Sequence, residues 1–164
     1  MTCQLNSGRI LIVTTNRKGE AEKDDAWHAF MQMQELLNSR LEQQLQASSN
    51  LSNADYTVLV VLSETPGHRL RAYEMGKMIG WEKSRLHHQL TRMCSRGLVR
   101  READPETSRG ILAVLTEKGM QAIVAAAPAH NREVQRLFFD KISDQQVRQL
   151  RSISRRVLED LLAD

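Results

Sequence analysis

Gly80 is the residue that most constrains how this chain can fold. It separates two short stretches with helical spacing. Ala72 to Ile79 is the first, with Tyr73, Met75 or Gly76, and Ile79 turned inward. Glu82 to Arg96 is the second, with Leu86, Leu90 and Met93 on one face at i, i+4 and i+7. Gly97 suits the position just beyond that second helix, where a left-handed residue closes the last turn. Leu98-Val99-Arg100-Arg101-Glu102 then reads as extended. Ala103 to Arg109 is polar with a turn at Asp104-Pro105, and Gly110 to Leu115 is extended again. Two helices around a glycine turn, followed at once by a β-hairpin, predict a helix-turn-helix with a wing.

The flanks are helical. From Asp24 to about Ser48 there is neither proline nor glycine, and Trp27, Phe30, Met31, Leu37, Leu41 and Leu45 recur at helical intervals. At 1.5 Å per residue this helix would be roughly 38 Å long, more than a compact domain of this size needs. Ser52-Asn53-Ala54-Asp55 is a helix start, although the β-branched Tyr56 to Leu62 run would locally permit a strand. Thr116 caps a further helix whose apolar stripe runs through Met120, Ile123, Val124, Ala127, Val134, Leu137 and Phe138, with a kink expected at Pro128. Ser143 to Gln146 is a capping box for the last helix, which carries Val147, Leu150, Ile153, Val157, Leu158, Leu161 and Leu162. Residues 1–22 stay open: Arg9 to Thr15 reads equally as a strand, an arm on a partner subunit or a tail.

A chain of 164 residues is about one domain. Its two cysteines, Cys3 and Cys94, make no disulfide framework and no zinc-ligand spacing. No apolar run reaches the roughly 18 residues of a membrane span, and Ile10 to Val13 is too short for a secretory segment. A reducing cytoplasm is therefore expected. Charge is informative through its distribution. Residues 68–109 hold ten basic and five acidic groups, a net +5, directly after a block at 20–67 that nets −6. Such asymmetry points to an anionic partner for the middle of the chain.

The second helix of the pair says which partner. Opposite its apolar stripe lie Lys83, Ser84, Arg85, His87, His88, Thr91 and Arg92. A helix that packs on its domain with one face and reads a DNA major groove with the other needs this division. Ser, Thr and Arg side chains bond base edges and phosphates. Arg100, Arg101 and Arg109 in the hairpin would neutralise phosphates, or place a guanidinium in a narrow minor groove; Arg69 and Arg71 flank the helix pair, and Arg71 is counted among the DNA contacts. An enzyme is the opposing class. Ser84 has His87 and His88 within a turn, but no acid orients either histidine and no oxyanion hole is apparent, so no catalytic residues are assigned. No metal site and no cofactor follow from the five histidines, which lack ligand spacing.

These residues resemble a known family. Gly80-Trp81-Glu82-Lys83-Ser84-Arg85-Leu86, Leu90, Arg92-Met93, Arg96-Gly97-Leu98-Val99-Arg100-Arg101, Asp104-Pro105, Arg109 and Leu115-Thr116-Glu117-Lys118-Gly119 are similar to the MarR family of winged-helix transcriptional regulators. The likeness covers residues 51–119 in motif detail. It implies a mainly α fold with a small β-hairpin wing, assembled as an intertwined homodimer on a pseudo-palindromic double-stranded DNA operator. The parts would be an N-terminal arm at 1–22, a dimerisation helix at 23–50, a winged helix-turn-helix at 51–119 and C-terminal dimerisation helices at 120–164. It further implies a cytoplasmic repressor released by a small amphipathic or phenolic effector, with Trp27, Met31, Met33 and Tyr56 as pocket candidates. Four departures stand out: Thr107 where an aspartate would orient Arg109, Glu82 as helix cap, Trp81 in place of an aliphatic residue, and His87-His88. The alternatives are a winged-helix protein-interaction module, or a redox- or metal-sensing member of the same family.

Overall fold

The computed structural model describes residues 18–105 and 110–163, with Lys18 described by its backbone alone. The expectations for residues 1–17, Thr107 and Arg109 lie outside the described residues. The chain divides into two units, residues 1–36 and 37–164. Helix α1 (Lys18–Ser49) supplies the described part of the first unit and opens the second. It begins six residues before Asp24. In the first unit Trp27 stacks on Phe30 at 5.7 Å, and Trp27, Phe30, Met31, Met33 and Leu36 are all exposed.

In the second unit Leu45 of α1 is fully buried, and Asn53 Nδ2 donates to the Asn38 carbonyl at 3.0 Å, fastening the turn into α2 (Asn53–Glu64). The β-branched run becomes helix for two reasons. Ser52 and Asp55 form a reciprocal capping box, with bonds of 3.0 and 2.9 Å. Asp55, Val58, Leu59 and Leu62 then fall on one buried stripe with a helical, not a strand, period.

A three-residue strand, β1 (Arg69–Arg71), follows; the sequence carries no readable alternation over so short a run. β2 (Val99–Ala103) and β3 (Ile111–Leu115) form the expected hairpin, and the antiparallel sheet is ordered β1-β3-β2. Leu70 faces Ala113, and Arg101 faces the same residue from the other side.

Helix α3 (Ala72–Ile79) buries Met75, but Tyr73 is 71% exposed, contrary to its expected inward place. Positions two apart on a helix diverge by about 200°, so Tyr73 and Met75 cannot share a face. Tyr73 instead lies under the Lys77 ammonium, 5.0 Å from the ring centroid. Gly80 closes α3 in the left-handed region, at φ +64°. The Trp81 N–H reaches the Gly76 carbonyl at 2.9 Å and the Gly80 N–H reaches Lys77 at 3.4 Å, a Schellman ending. Helix α4 (Lys83–Ser95) ends the same way at Gly97, with Leu98 bonded to Met93 and Gly97 to Cys94.

Thr116 caps α5 (Glu117–Leu137), which continues as one helix through Pro128. Ile123 and Ala126 face the core, whereas Val124 is 64% exposed and so leaves the expected buried stripe. It adjoins Ile123, about 100° away around the helix, and that rotation carries it off the packed face. Helix α6 (Asp144–Leu161) has the Ser143–Gln146 capping box, but Ile153, Val157, Leu158, Leu161 and Leu162 are all at least half exposed in the single chain.

Gly119 shows how closely the wing base meets α5. A Cβ there would collide with the Leu98 carbonyl oxygen and crowd the Leu115 side chain. Alanine is worth about 1 kcal/mol over glycine inside a helix, but overpacking against fixed backbone costs about 1–3 kcal/mol. Gly119→Ala should therefore lower the thermal midpoint, by about 3–6 °C, measured by circular dichroism.

Candidate nucleic-acid interface

Helix α4 presents two faces of different chemistry. Leu86, Gln89, Leu90 and Met93 are buried at i, i+3, i+4 and i+7. Lys83, Ser84, Arg85, His87, His88, Thr91 and Arg92, the seven residues expected to face a groove, are all exposed. The helix starts without a side-chain cap, since Glu82 makes no capping bond.

Each outward arginine is held by a different device. The Arg85 guanidinium carbon lies 4.3 Å from the centroid of the Trp81 ring. Arg92 donates through Nη2 to the Gln89 amide oxygen. Arg101, placed on the wing as a phosphate contact, donates through Nη2 to the His87 carbonyl and to Thr91 Oγ1, both at 2.9 Å. It thereby straps β2 to α4 from a half-buried position. Arg100 pairs with Glu102 at 2.7 Å. Arg71 is braced rather than extended: its Nε meets the buried Asp104 carboxylate at 2.6 Å, and Nη1 lies 3.5 Å from Glu74.

Beneath α4 lies a polar knot absent from the sequence-based expectations. The Asp55 carboxylate, 3% exposed as a residue, accepts from Gln89 Nε2 at 2.7 Å and from Arg96 Nη1 at 2.6 Å. Arg96 also donates to the Asn50 carbonyl, and its own carbonyl accepts from Lys118 at 2.7 Å. Gln89 has only one amide orientation that satisfies both neighbours: nitrogen toward Asp55, oxygen toward Arg92. Burial pushes the Asp55 carboxyl up, but the Ser52 N–H, the Arg96 guanidinium and the Ser52 hydroxyl outweigh it and hold it below its ordinary value. The signal for this knot was in the pattern: Gln89 falls on the same helical stripe as Leu86 and Met93.

The pocket candidates fall in both units. Trp27 and Met31 are exposed on α1. Tyr56 packs on His130 of α5, with ring centroids 4.2 Å apart. Burial raises the Tyr56 hydroxyl, with Glu64 adding to it, and burial lowers His130. Within the second unit a cavity of about 450 Å³ is lined by Arg40, Gln43, Gln44, Glu133, Arg136 and Leu137. Among the described residues no group of three or more His, Cys, Asp or Glu side chains could hold a metal ion, and no helix is long and apolar enough to cross a membrane. Cys94 is a half-buried thiol on α4.

Known proteins share this arrangement. Residues 49–110 match the sequence model of the MarR family. The transcriptional regulator HosA of Escherichia coli O111:H- is 30% identical over 108 residues, which span 66% of this chain and 76% of HosA. The chain belongs to the MarR family. Two solved members from Streptomyces coelicolor, both MarR family transcriptional regulators, are each 35% identical to it. Sco3205, solved in complex with DNA, superposes with a TM-score of 0.83 over 86% of this chain and 92% of its own. AbsC gives 0.84 over 92% of this chain and 100% of its own. This MarR-family chain is thus a mainly helical winged helix-turn-helix regulator.

The Asp55 knot has a pH signature. An aspartate held below its ordinary value adds stability that is complete above the ordinary carboxylate range and is lost as pH falls through the lowered value. Arg96 is over a third exposed, so its share is reduced by solvent. Asp55→Asn should cost about 1–2 kcal/mol at pH 7. The gap to wild type should narrow on titration below about pH 4, as followed by thermal melting across a pH series.

Proposed function

We propose that this chain is a dimeric, sequence-specific repressor that binds a pseudo-palindromic DNA operator in the cytoplasm, and is not an enzyme. The observation that carries the proposal is the exposed basic face of α4, a helix strapped to the wing by Arg101 and to the core through Gln89 and Asp55. The early residues Lys83, Ser84 and Arg85 would reach base edges in the major groove, with His87, His88, Thr91 and Arg92 behind them. Arg101 and Arg109 would meet phosphates or the minor groove beside the wing, while Arg71 positions the wing through Asp104. A regulator of the same family at 35% identity, Sco3205, has been solved on DNA, which supports the same use here.

The exposed apolar residues of α6 support a homodimer, because a monomer would leave Ile153, Val157, Leu158, Leu161 and Leu162 in water. Two copies related by a two-fold axis would set their α4 helices about 34 Å apart, one turn of B-DNA. A small amphipathic or phenolic effector would release the operator by preferring a dimer with another α4 spacing. Its differential affinity for the two dimer states sets how far the equilibrium moves.

Two measurements test this reading. Sedimentation should return twice the 18.7 kDa of one chain; a stable monomer contradicts the role of the terminal helices. Duplexes selected from a random pool should bind more tightly than unselected ones by fluorescence anisotropy, and both affinities should fall with salt. Equal affinity for the two removes sequence specificity, and a flat salt response removes DNA binding. Arg109→Ala should weaken binding to all sequences and reduce the logarithmic salt slope by about one.

A further inference from the structure

We infer that Trp81 is the specificity-determining positioning residue of this regulator: its ring holds the Arg85 guanidinium ready for a guanine edge at the start of α4. The inference rests on the DNA-binding reading above and deepens it.

The Trp81 backbone is fixed by the turn that creates the helix pair. Its N–H is bonded to the Gly76 carbonyl at 2.9 Å. Its carbonyl lies so near Gly76 that an added Cβ would sit 3.1 Å away. The side chain is half-buried and packs against the core, so the ring is a rigid platform. Arg85 lies four residues on, one helical turn away, with its guanidinium carbon 4.3 Å from the ring centroid.

How a guanidinium is held decides what it can still bind. An ion pair or hydrogen bond occupies its in-plane N–H donors. Stacking occupies only its face and leaves the donor edge open. Among the described residues, Arg92, Arg96, Arg100 and Arg101 are all held through their donors, by Gln89, Asp55, Glu102 and the His87–Thr91 pair. Arg85 lies over the Trp81 ring, and no described carboxylate or carbonyl takes its donors. It is therefore oriented while its donors stay available to a ligand. Bidentate recognition of guanine O6 and N7 in the major groove needs that combination. A phosphate would be served as well by a loosely held arginine.

Selection of duplexes from a random pool with the wild-type dimer supplies the probe. Affinities are then measured for a selected duplex, for the same duplex with each G·C pair replaced in turn, and for unselected duplex. Arg85→Ala should abolish discrimination at one G·C pair in each half-site, about tenfold or more. Trp81→Leu should weaken the selected duplex about two- to fivefold and flatten the same position, with unselected affinity and salt slope unchanged. In the Arg85→Ala background Trp81→Leu should add nothing. Trp81→Phe, with a smaller and weaker ring, should give a lesser loss at the same base pair, and it carries the test if Trp81→Leu does not fold.

Trp81 variants that weaken selected and unselected duplexes alike, or whose effect adds to that of Arg85→Ala, overturn the inference. So does unchanged discrimination in the folded variants. Loss of salt slope in Arg85→Ala, with no positional effect, assigns Arg85 to a phosphate and also overturns it. A wild-type dimer that selects no sequence overturns the functional reading itself, and the inference with it.

Discussion

One buried carboxylate joins the parts of this protein that must move as a unit. Asp55 closes the first turn of α2 and at the same time receives Gln89 and Arg96 from the recognition helix. A carboxylate placed at a helix N-terminus is stabilised by free N–H groups and by the helix dipole. Here the same charge also satisfies the buried Gln89 amide of α4, which would otherwise be desolvated without a partner, and pairs with Arg96 at the end of that helix. Apolar contact alone would let α4 slide or roll along Leu59 and Leu62. Directional bonds of 2.6 and 2.7 Å fix its rotation, and rotation decides which residues face outward.

Rotation matters because α4 is anchored at both ends by backbone geometry. The Gly80 and Gly97 endings reverse the chain before and after it, and the wing returns immediately to strap it through Arg101. The Thr116 hydroxyl donates to the Gly97 carbonyl at 2.7 Å, so the end of α4 and the start of α5 share one polar joint. Gly119 lets α5 approach the Leu98 carbonyl that the same turn exposes. The outward face of α4 thus depends on tight turns: Gly80 and Gly97 supply left-handed conformations, and Gly119 permits the close approach of α5.

Much of this was legible in the residues. The Ser52–Asp55 and Ser143–Gln146 boxes identified helix starts even where β-branched residues argued for strand, because capping is local chemistry that one sequence window contains whole. The Gly80 and Gly97 turns were legible for the same reason. Three features were not. β1 is three residues long, too short for a period to show, and exists because β3 offers it an edge. The short apolar pattern admits both Tyr73 and Met75 to the inward face, whereas helix geometry leaves room for Met75 alone. Gln89 and Asp55 fall on the buried stripes of their helices, which marks them as inward, but they are partners 34 positions apart. The local pattern shows each position's burial and not which residue it pairs with.

The same pairings change what the charge count means. The +5 of residues 68–109 combines cations of two kinds. Arg71 and Arg100 are matched by acids of the same block, Asp104, Glu74 and Glu102, and Arg96 is matched by Asp55 from the acidic block before it. Those charges build the scaffold and contribute little field beyond it. Arg69, Lys77, Lys83, Arg85, Arg92 and Arg101 have no carboxylate partner among the described residues, and four of the six belong to α4 or to the strand strapped to it. Unmatched charge is what releases counterions from a phosphate backbone. The acidic block is likewise less free than its −6 implies: Asp55 is enclosed in the knot, and Glu42 accepts the Asn53 N–H at the head of α2. Pairing removes charge of both signs from the scaffold, and the uncompensated remainder of the basic block concentrates on the face that α4 turns outward.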